Sequence, residues 1–135
     1  EDEVNRAYAD VKVPARVVPF IDDMSAAYRQ ADLVIARSGA MTVTELCATG
    51  LASILLPFPL AASNHQAANA QVLSNVGAAV VIEASMLDAR RLAKEIDRLL
   101  GDRNLLIKMG DAAHKLARPD ATAKVAGCCV ELAHA

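Results

Sequence analysis

The stretch Ala36-Arg37-Ser38-Gly39-Ala40-Met41-Thr42-Val43-Thr44-Glu45, entered from the apolar run Leu33-Val34-Ile35, decides how this chain folds. Leu33-Val34-Ile35-Ala36 is bounded by Asp32 and Gly39 and is apolar throughout, as a strand buried on both faces of a parallel sheet is. A sharp turn at small residues then opens a helix. Gly39 lets a ligand approach the backbone with no Cβ in the way, and the first N–H groups of a helix lack intrahelical partners. A diphosphate is the natural guest beyond such a strand's end. Glu45 lies about 6 Å of helix rise beyond Met41, and helical side chains lean toward the N-terminus, which puts its carboxylate within reach of a ribose diol beside those phosphates. The same residues admit a purely structural reading: Thr42-x-x-Glu45 has the spacing of a capping box, which satisfies only the helix's own donors. Spacing alone leaves the two readings balanced.

Working outward from that turn, apolar runs alternate with helical periodicity, which points to an α/β fold of parallel strands joined by right-handed helical crossovers. About four strands are expected, at Ala15–Ile21, Leu33–Arg37, Ala52–Phe58 and Ala79–Glu83. Helices are expected over Asp2–Ala9, Met24–Ala31, Met41–Thr49, Asn64–Asn75, Asp88–Leu100, Arg103–Ala117 and Ala121–Ala133. Gly50, Gly77 and Gly101 stand where helices should stop, and Pro119 separates the last two. Leu92, Ile96 and Leu99, then Leu105, Met109 and Leu116, recur at helical spacing and belong to the core.

Composition narrows the function. The 135 residues are one domain's worth, and 54% hydrophobic content is ample for one core. Aromatic residues make up only 3% and the formal charge is −2, so neither base-stacking platforms nor a basic stripe for a phosphate backbone is present, and nucleic acid is not an expected partner. No apolar run approaches the roughly 18 residues of a membrane span, and Glu1-Asp2-Glu3 has the wrong charge for a signal peptide, so a soluble, cytoplasmic chain is expected. The cysteines, Cys47 in a helix and the adjacent Cys128-Cys129, lack metal or redox spacing and read as reduced structural thiols. His114 and His134 have no second imidazole or thiol at metal spacing, and no metal or cofactor is expected.

In a parallel sheet, ligands collect outside the carboxyl ends of the strands. After the first expected strand come Asp22-Asp23, where Asp23 reads as the N-cap of the following helix and not as a metal ligand. After the third, Pro57 and Pro59 stiffen a loop that leads to Ser63-Asn64-His65-Gln66, whose polar groups open the next helix toward the sheet's end. Ser63-x-x-Gln66 is again a capping-box spacing, so one innocent explanation covers both candidate polar residues.

The order of these segments adds a further observation. Val18-Pro19-Phe20-Ile21-Asp22-Asp23-Met24, then Arg37-Ser38-Gly39-Ala40 with Thr42 and Glu45, then Pro57-Phe58, His65-Gln66 with Asn69-Ala70, and Ala117-Arg118-Pro119-Asp120-Ala121 together resemble the MurG family. The match runs in register along most of the chain. It implies an inverting glycosyltransferase of two Rossmann-like domains, peripheral on the inner face of the bacterial plasma membrane. Such an enzyme moves N-acetylglucosamine from UDP-N-acetylglucosamine to lipid I, forming lipid II for peptidoglycan. This chain looks like part of the C-terminal, donor-binding domain. Carried over by position, the resemblance implies that Ile21 meets the uracil through its backbone. Ser38, Gly39, Ala40, Met41 and Thr42 form the loop and helix start near the phosphates, Glu45 holds the ribose hydroxyls, and Gln66, with His65 beside it, contacts the sugar hydroxyls.

The departures bear on activity. The family's Gly-Gly-Ser loop on the first strand of this domain has no counterpart here, nor does the N-terminal domain that carries the acceptor site and the general base. Residues 1–135 are therefore expected to be a partial domain, catalytically silent alone. In the order 3-2-1-4-5-6 the strands here would be 3 to 6, leaving Leu33–Arg37 an open apolar edge; a rearranged four-stranded sheet or strand-mediated self-association is expected. Other readings are another glycosyltransferase of the same two-domain fold, a nucleotide-sugar epimerase, or a non-catalytic half-domain that serves as a partner subunit.

Overall fold

The computed structural model describes residues 2–58 and 64–133, and the chain divides into two compact units, Glu1–Gln30 and Ala31–Ala135. In the first unit, helix α1 (Asp2–Asp10) is followed by a segment without regular secondary structure and then by helix α2 (Met24–Gln30). The start of α2 follows the expectation from sequence: the Asp23 carboxylate accepts from the Ala26 N–H at 2.8 Å, an N-cap bond.

The segment between α1 and α2 corrects the sequence expectation. Ala15–Ile21 forms no strand. Pro19 lies inside that run and has no N–H to donate to a ladder, and a single extended run needs a partner that the described residues do not supply.

The second unit holds the sheet. Strands β1 (Val34–Ala36), β2 (Ser53–Leu55) and β3 (Ala79–Val81) lie side by side in that order, all parallel. Ile35 faces Ile54, and Ile54 faces Val80. Between them run the crossover helices α3 (Ala40–Thr49) and α4 (His65–Asn75), and after β3 come a 3₁₀ turn (Ala84–Met86), α5 (Ala89–Leu100), α6 (Arg103–His114) and α7 (Ala121–Ala133). The fold is thus α/β with three parallel strands, not four, and the rearranged four-stranded sheet is not formed among the described residues.

Burial follows position in the sheet. The middle strand β2 is buried at every residue, whereas β1 is an edge whose Ile35 remains 42% exposed, so the strand expected to be covered on both faces is β2's neighbour and not the centre. Ala52, Ile54, Ile82, Leu99 and Met109 form the core cluster, with Leu92, Ile96 and Leu105 packed against it, so the stripe of α5 and Leu105 and Met109 of α6 serve the core as expected, whereas Leu116 lies beyond the end of α6 and is only half-buried. Each fully buried aliphatic side chain of this kind contributes about 1.5–3 kcal/mol.

One contact involves two glycines. Gly50 ends α3 at φ 67°, its N–H bonded to Leu46 O at 3.0 Å, and a Cβ on Gly110 of α6 would sit on the Gly50 carbonyl oxygen. The close approach of α6 to the end of α3 therefore needs the bare backbone of Gly110, and the left-handed φ of Gly50 favours glycine at the other position. That contact closes the C-terminal end of α3 and leaves its other end to be explained.

Candidate functional site

Helix α3 starts earlier than a capping box would require. Its N-cap is Gly39, at φ −62° and ψ 152°, with no side-chain cap bond, and the Val43 N–H bonds to the Gly39 carbonyl at 3.0 Å. Thr42 is therefore the third residue inside the helix and cannot be its cap. The structural reading of Thr42-x-x-Glu45 fails on this register, because a capping hydroxyl must stand before the first helical residue.

What remains is a helix N-terminus with no acidic residue in its first turn. Its end carries a partial positive charge of roughly +0.5 from the aligned peptide dipoles. Gly39 occupies a backbone conformation open to any residue, and a Cβ built there would meet only Thr42 Oγ1, at 3.9 Å. Neither backbone geometry nor packing requires glycine at this position, so its missing side chain leaves room in front of the helix. Ala40 and Met41 are exposed there, Met41 by 75%, and Thr42 and Glu45 are half-buried one turn apart.

Ser38 behaves differently from its neighbours. It is fully buried, its Oγ donates to the Gln66 carbonyl at 2.7 Å, and its own carbonyl accepts from Asn69 Nδ2 at 3.1 Å. Its hydroxyl is committed to tying the turn after β1 to the first turn of α4. Peptide groups are planar and trans, so drawing the Ser38 carbonyl toward α4 aims the Gly39 N–H the opposite way.

The loop after β2 is tied to the same place. Phe58 N–H donates to Gln66 Oε1 at 2.8 Å, Arg37 Nη1 donates to the carbonyls of Leu56 at 3.0 Å and Pro57 at 3.3 Å, and the Arg37 guanidinium lies 5.3 Å from the centroid of the Phe58 ring. Helix α4 begins after Asn64, whose backbone takes the left-handed conformation at φ 56°. Gln66 is thus the second residue of α4, and exposed His65 the first. Pro59 and Ser63 lie outside the described residues, and with them the first half of the second expected capping box.

The structure therefore gathers Ser38, Gly39, Ala40, Met41, Thr42, Glu45, His65 and Gln66 in the second unit, around the carboxyl ends of β1 and β2 and the starts of α3 and α4. Ile21 belongs to the first unit, where it lines a cavity of about 500 Å³ together with Phe20, Asp22, Asp23 and Ala26. Arg37 and Asn69 escaped the sequence expectation as site residues. Both stand inside motifs that the sequence displays, but their bonds span 19 and 31 residues, beyond any local spacing rule. Among the described residues, no cluster of His, Cys, Asp and Glu is arranged to hold a metal ion, and no helix is long and apolar enough to cross a membrane.

Comparison with known proteins identifies the class. The profile of the glycosyltransferase family 28 C-terminal domain matches residues 1–125, and the chain belongs to that family. It is 50% identical over 127 residues to the UDP-N-acetylglucosamine–N-acetylmuramyl-(pentapeptide) pyrophosphoryl-undecaprenol N-acetylglucosamine transferase of Nitrosococcus oceani, covering 94% of this chain and 35% of that protein. The protein of the same name from Halorhodospira halophila is 52% identical over 120 residues, covering 89% of this chain and 34% of the relative. The crystal structure of Acinetobacter baumannii MurG superposes with a TM-score of 0.83 at 38% identity, over 92% of this chain and 36% of that one. The chain thus spans about a third of the length of these relatives.

Proposed function

We propose that this chain is the donor-binding part of an inverting glycosyltransferase that transfers N-acetylglucosamine from UDP-N-acetylglucosamine to lipid I, forming lipid II, in an enzyme peripheral on the inner face of the plasma membrane. The observation that carries the reading is the start of α3 at Gly39, which removes the capping-box explanation for Thr42 and Glu45 and leaves an acid-free helix end beside a half-buried carboxylate. Relatives about half identical to the chain carry the name of this transferase, which favours it over a nucleotide-sugar epimerase.

In this reading the chain seats the diphosphate at the Gly39–Thr42 donors, where the helix end stabilises the negative charge that grows on the diphosphate as the sugar departs. Glu45 accepts from the ribose diol, and His65 and Gln66 stand at the sugar. The base that takes the proton from the acceptor hydroxyl is assigned to the family's N-terminal, acceptor-binding domain. The open edge of β1, with its exposed Ile35, remains the place for strand-mediated self-association.

Calorimetric titration of the chain with UDP tests the donor site. Glu45→Ala is expected to weaken UDP at least tenfold, about 1.4 kcal/mol, while circular dichroism shows the helices intact. Unchanged affinity together with a lowered melting temperature would assign Glu45 to the fold alone and overturn the reading.

A further inference from the structure

The ties around the donor site form a closed ring, and the ring determines which way the amide of Gln66 faces. A backbone N–H can only donate, so the side-chain atom 2.8 Å from the Phe58 nitrogen is the Gln66 oxygen. The carboxamide is planar and rigid. With its oxygen already accepting from the Phe58 N–H, the end turned away from that bond is the NH₂ group.

Phe58 does not hold that place alone. Its ring lies against the Arg37 guanidinium, whose Nη1 also grips the two preceding carbonyls, Leu56 and Pro57. A planar, delocalised cation can stack on a ring while donating in its own plane, a combination that a lysine ammonium cannot reproduce. The ring closes through the neighbouring residue, because Ser38 Oγ donates to the backbone carbonyl of the same Gln66. Backbone and side chain of Gln66 are thus both fixed from the β1 end, through Ser38 and through Arg37 and Phe58.

Building on the donor-site reading above, we propose that Arg37 and Phe58 are positioning residues that turn the Gln66 oxygen inward, so that Gln66 meets a bound sugar nucleotide only as a hydrogen-bond donor. The sugar hydroxyl placed there is recognised through its oxygen lone pairs and not through its proton. Arg37 acts through Phe58, and neither residue needs to touch the ligand.

The test uses the chain itself, titrated with UDP and with UDP-N-acetylglucosamine, so that the ratio of the two affinities isolates the sugar's contribution. Gln66→Glu is nearly isosteric: one carboxylate oxygen still accepts from the Phe58 N–H, and the other replaces the outward donor by an acceptor. It is expected to keep the Phe58 N–H protected from hydrogen exchange while the affinity ratio falls about tenfold. Arg37→Lys keeps the charge but is expected to lose both the Phe58 protection and the sugar's contribution, with UDP affinity retained. An unchanged ratio in Gln66→Glu, or full Phe58 protection and an unchanged ratio in Arg37→Lys, overturns the inference. If the parent chain binds UDP but UDP-N-acetylglucosamine no more tightly, the inference fails while the diphosphate site stands. If it binds neither, the donor-site reading itself fails and takes the inference with it.

Discussion

Helices α5 and α6 begin with the Asp88 carboxylate accepting from the Arg91 N–H at 2.7 Å and the Asp102 carboxylate accepting from the Leu105 N–H at 3.0 Å, whereas α3, in the same unit, begins at Gly39 with no side-chain cap. An aspartate cap settles one orphan donor and sets a negative charge against the positive end of the helix, so a capped end has little left to offer an anion. A glycine cap costs only a few tenths of a kcal/mol relative to aspartate and leaves that end open. The fold therefore caps α5 and α6, which build the core, and leaves α3 and α4, at the carboxyl ends of β1 and β2, without a side-chain cap. Stability and ligand binding are divided between helix starts that differ by one residue type.

Exchanging the two kinds of start produces the largest expected effect. Gly39→Asp places a carboxylate where the diphosphate is proposed to sit, at a backbone conformation that accepts any residue and with no atom nearer than 3.9 Å to the new Cβ. UDP affinity is expected to fall well beyond tenfold, while thermal stability stays the same or rises by a few tenths of a kcal/mol. Retained UDP binding in this variant would break the contrast between open and closed helix ends. The reciprocal change, Asp102→Ala, is expected to cost about 1 kcal/mol, a drop in melting temperature of about 4–8 °C for a unit of this size, with UDP affinity unchanged. A loss of UDP affinity there would mean that the capped helices also shape the site.

The same contrast shows what local spacing can carry. Asp23, Asp88 and Asp102 each stand immediately before a helix, and all three cap bonds form. Of the three, only Asp23 is expected as a cap from sequence, although the same rule applies to the other two. Thr42 and Glu45 satisfied the capping rule equally well on paper, yet the turn at Ser38-Gly39 starts the helix before Thr42, and no spacing rule records where a turn ends. Ala15–Ile21 had the composition of a strand but not the partner, and Pro19 had already removed one ladder donor. The ties that shape the site, Arg37 to Leu56, Ser38 to Gln66 and Asn69 to Ser38, connect adjacent strand ends through distant residues. They become visible only once β1 and β2 lie side by side.

Thr42→Ala sharpens the contrast within α3 itself. A capping threonine would cost about 1 kcal/mol on removal, whereas an interior third-position threonine, exchanged for a better helix former, is expected to leave stability within about 0.5 kcal/mol in denaturant unfolding. A full cap-sized loss would restore the capping-box reading and remove the observation on which the donor site rests.

The smallest effect concerns the closed end of α3. Cys47 sits in its last turns, buried, and burial pushes its thiol above the ordinary value of 9.0, whereas Cys128 and Cys129 on α7 are exposed. The thiolate is the reactive form, so iodoacetamide is expected to modify Cys128 and Cys129 and to spare Cys47 in the folded chain, as peptide mass mapping would show. The pH dependence has a definite sign. Well below pH 9.0 the Cys47 thiol is neutral in both the folded and the unfolded chain, and its contribution to stability is complete. As pH rises past that value the unfolded thiol ionises first, so stability is lost progressively until the raised folded value is passed, and Cys47→Ala should flatten this alkaline loss in denaturant unfolding. Equal alkylation of all three cysteines would mean that the end of α3 sealed by Gly50 and Gly110 opens readily, and the helix would then be loose at both ends instead of open only where a ligand is proposed to bind.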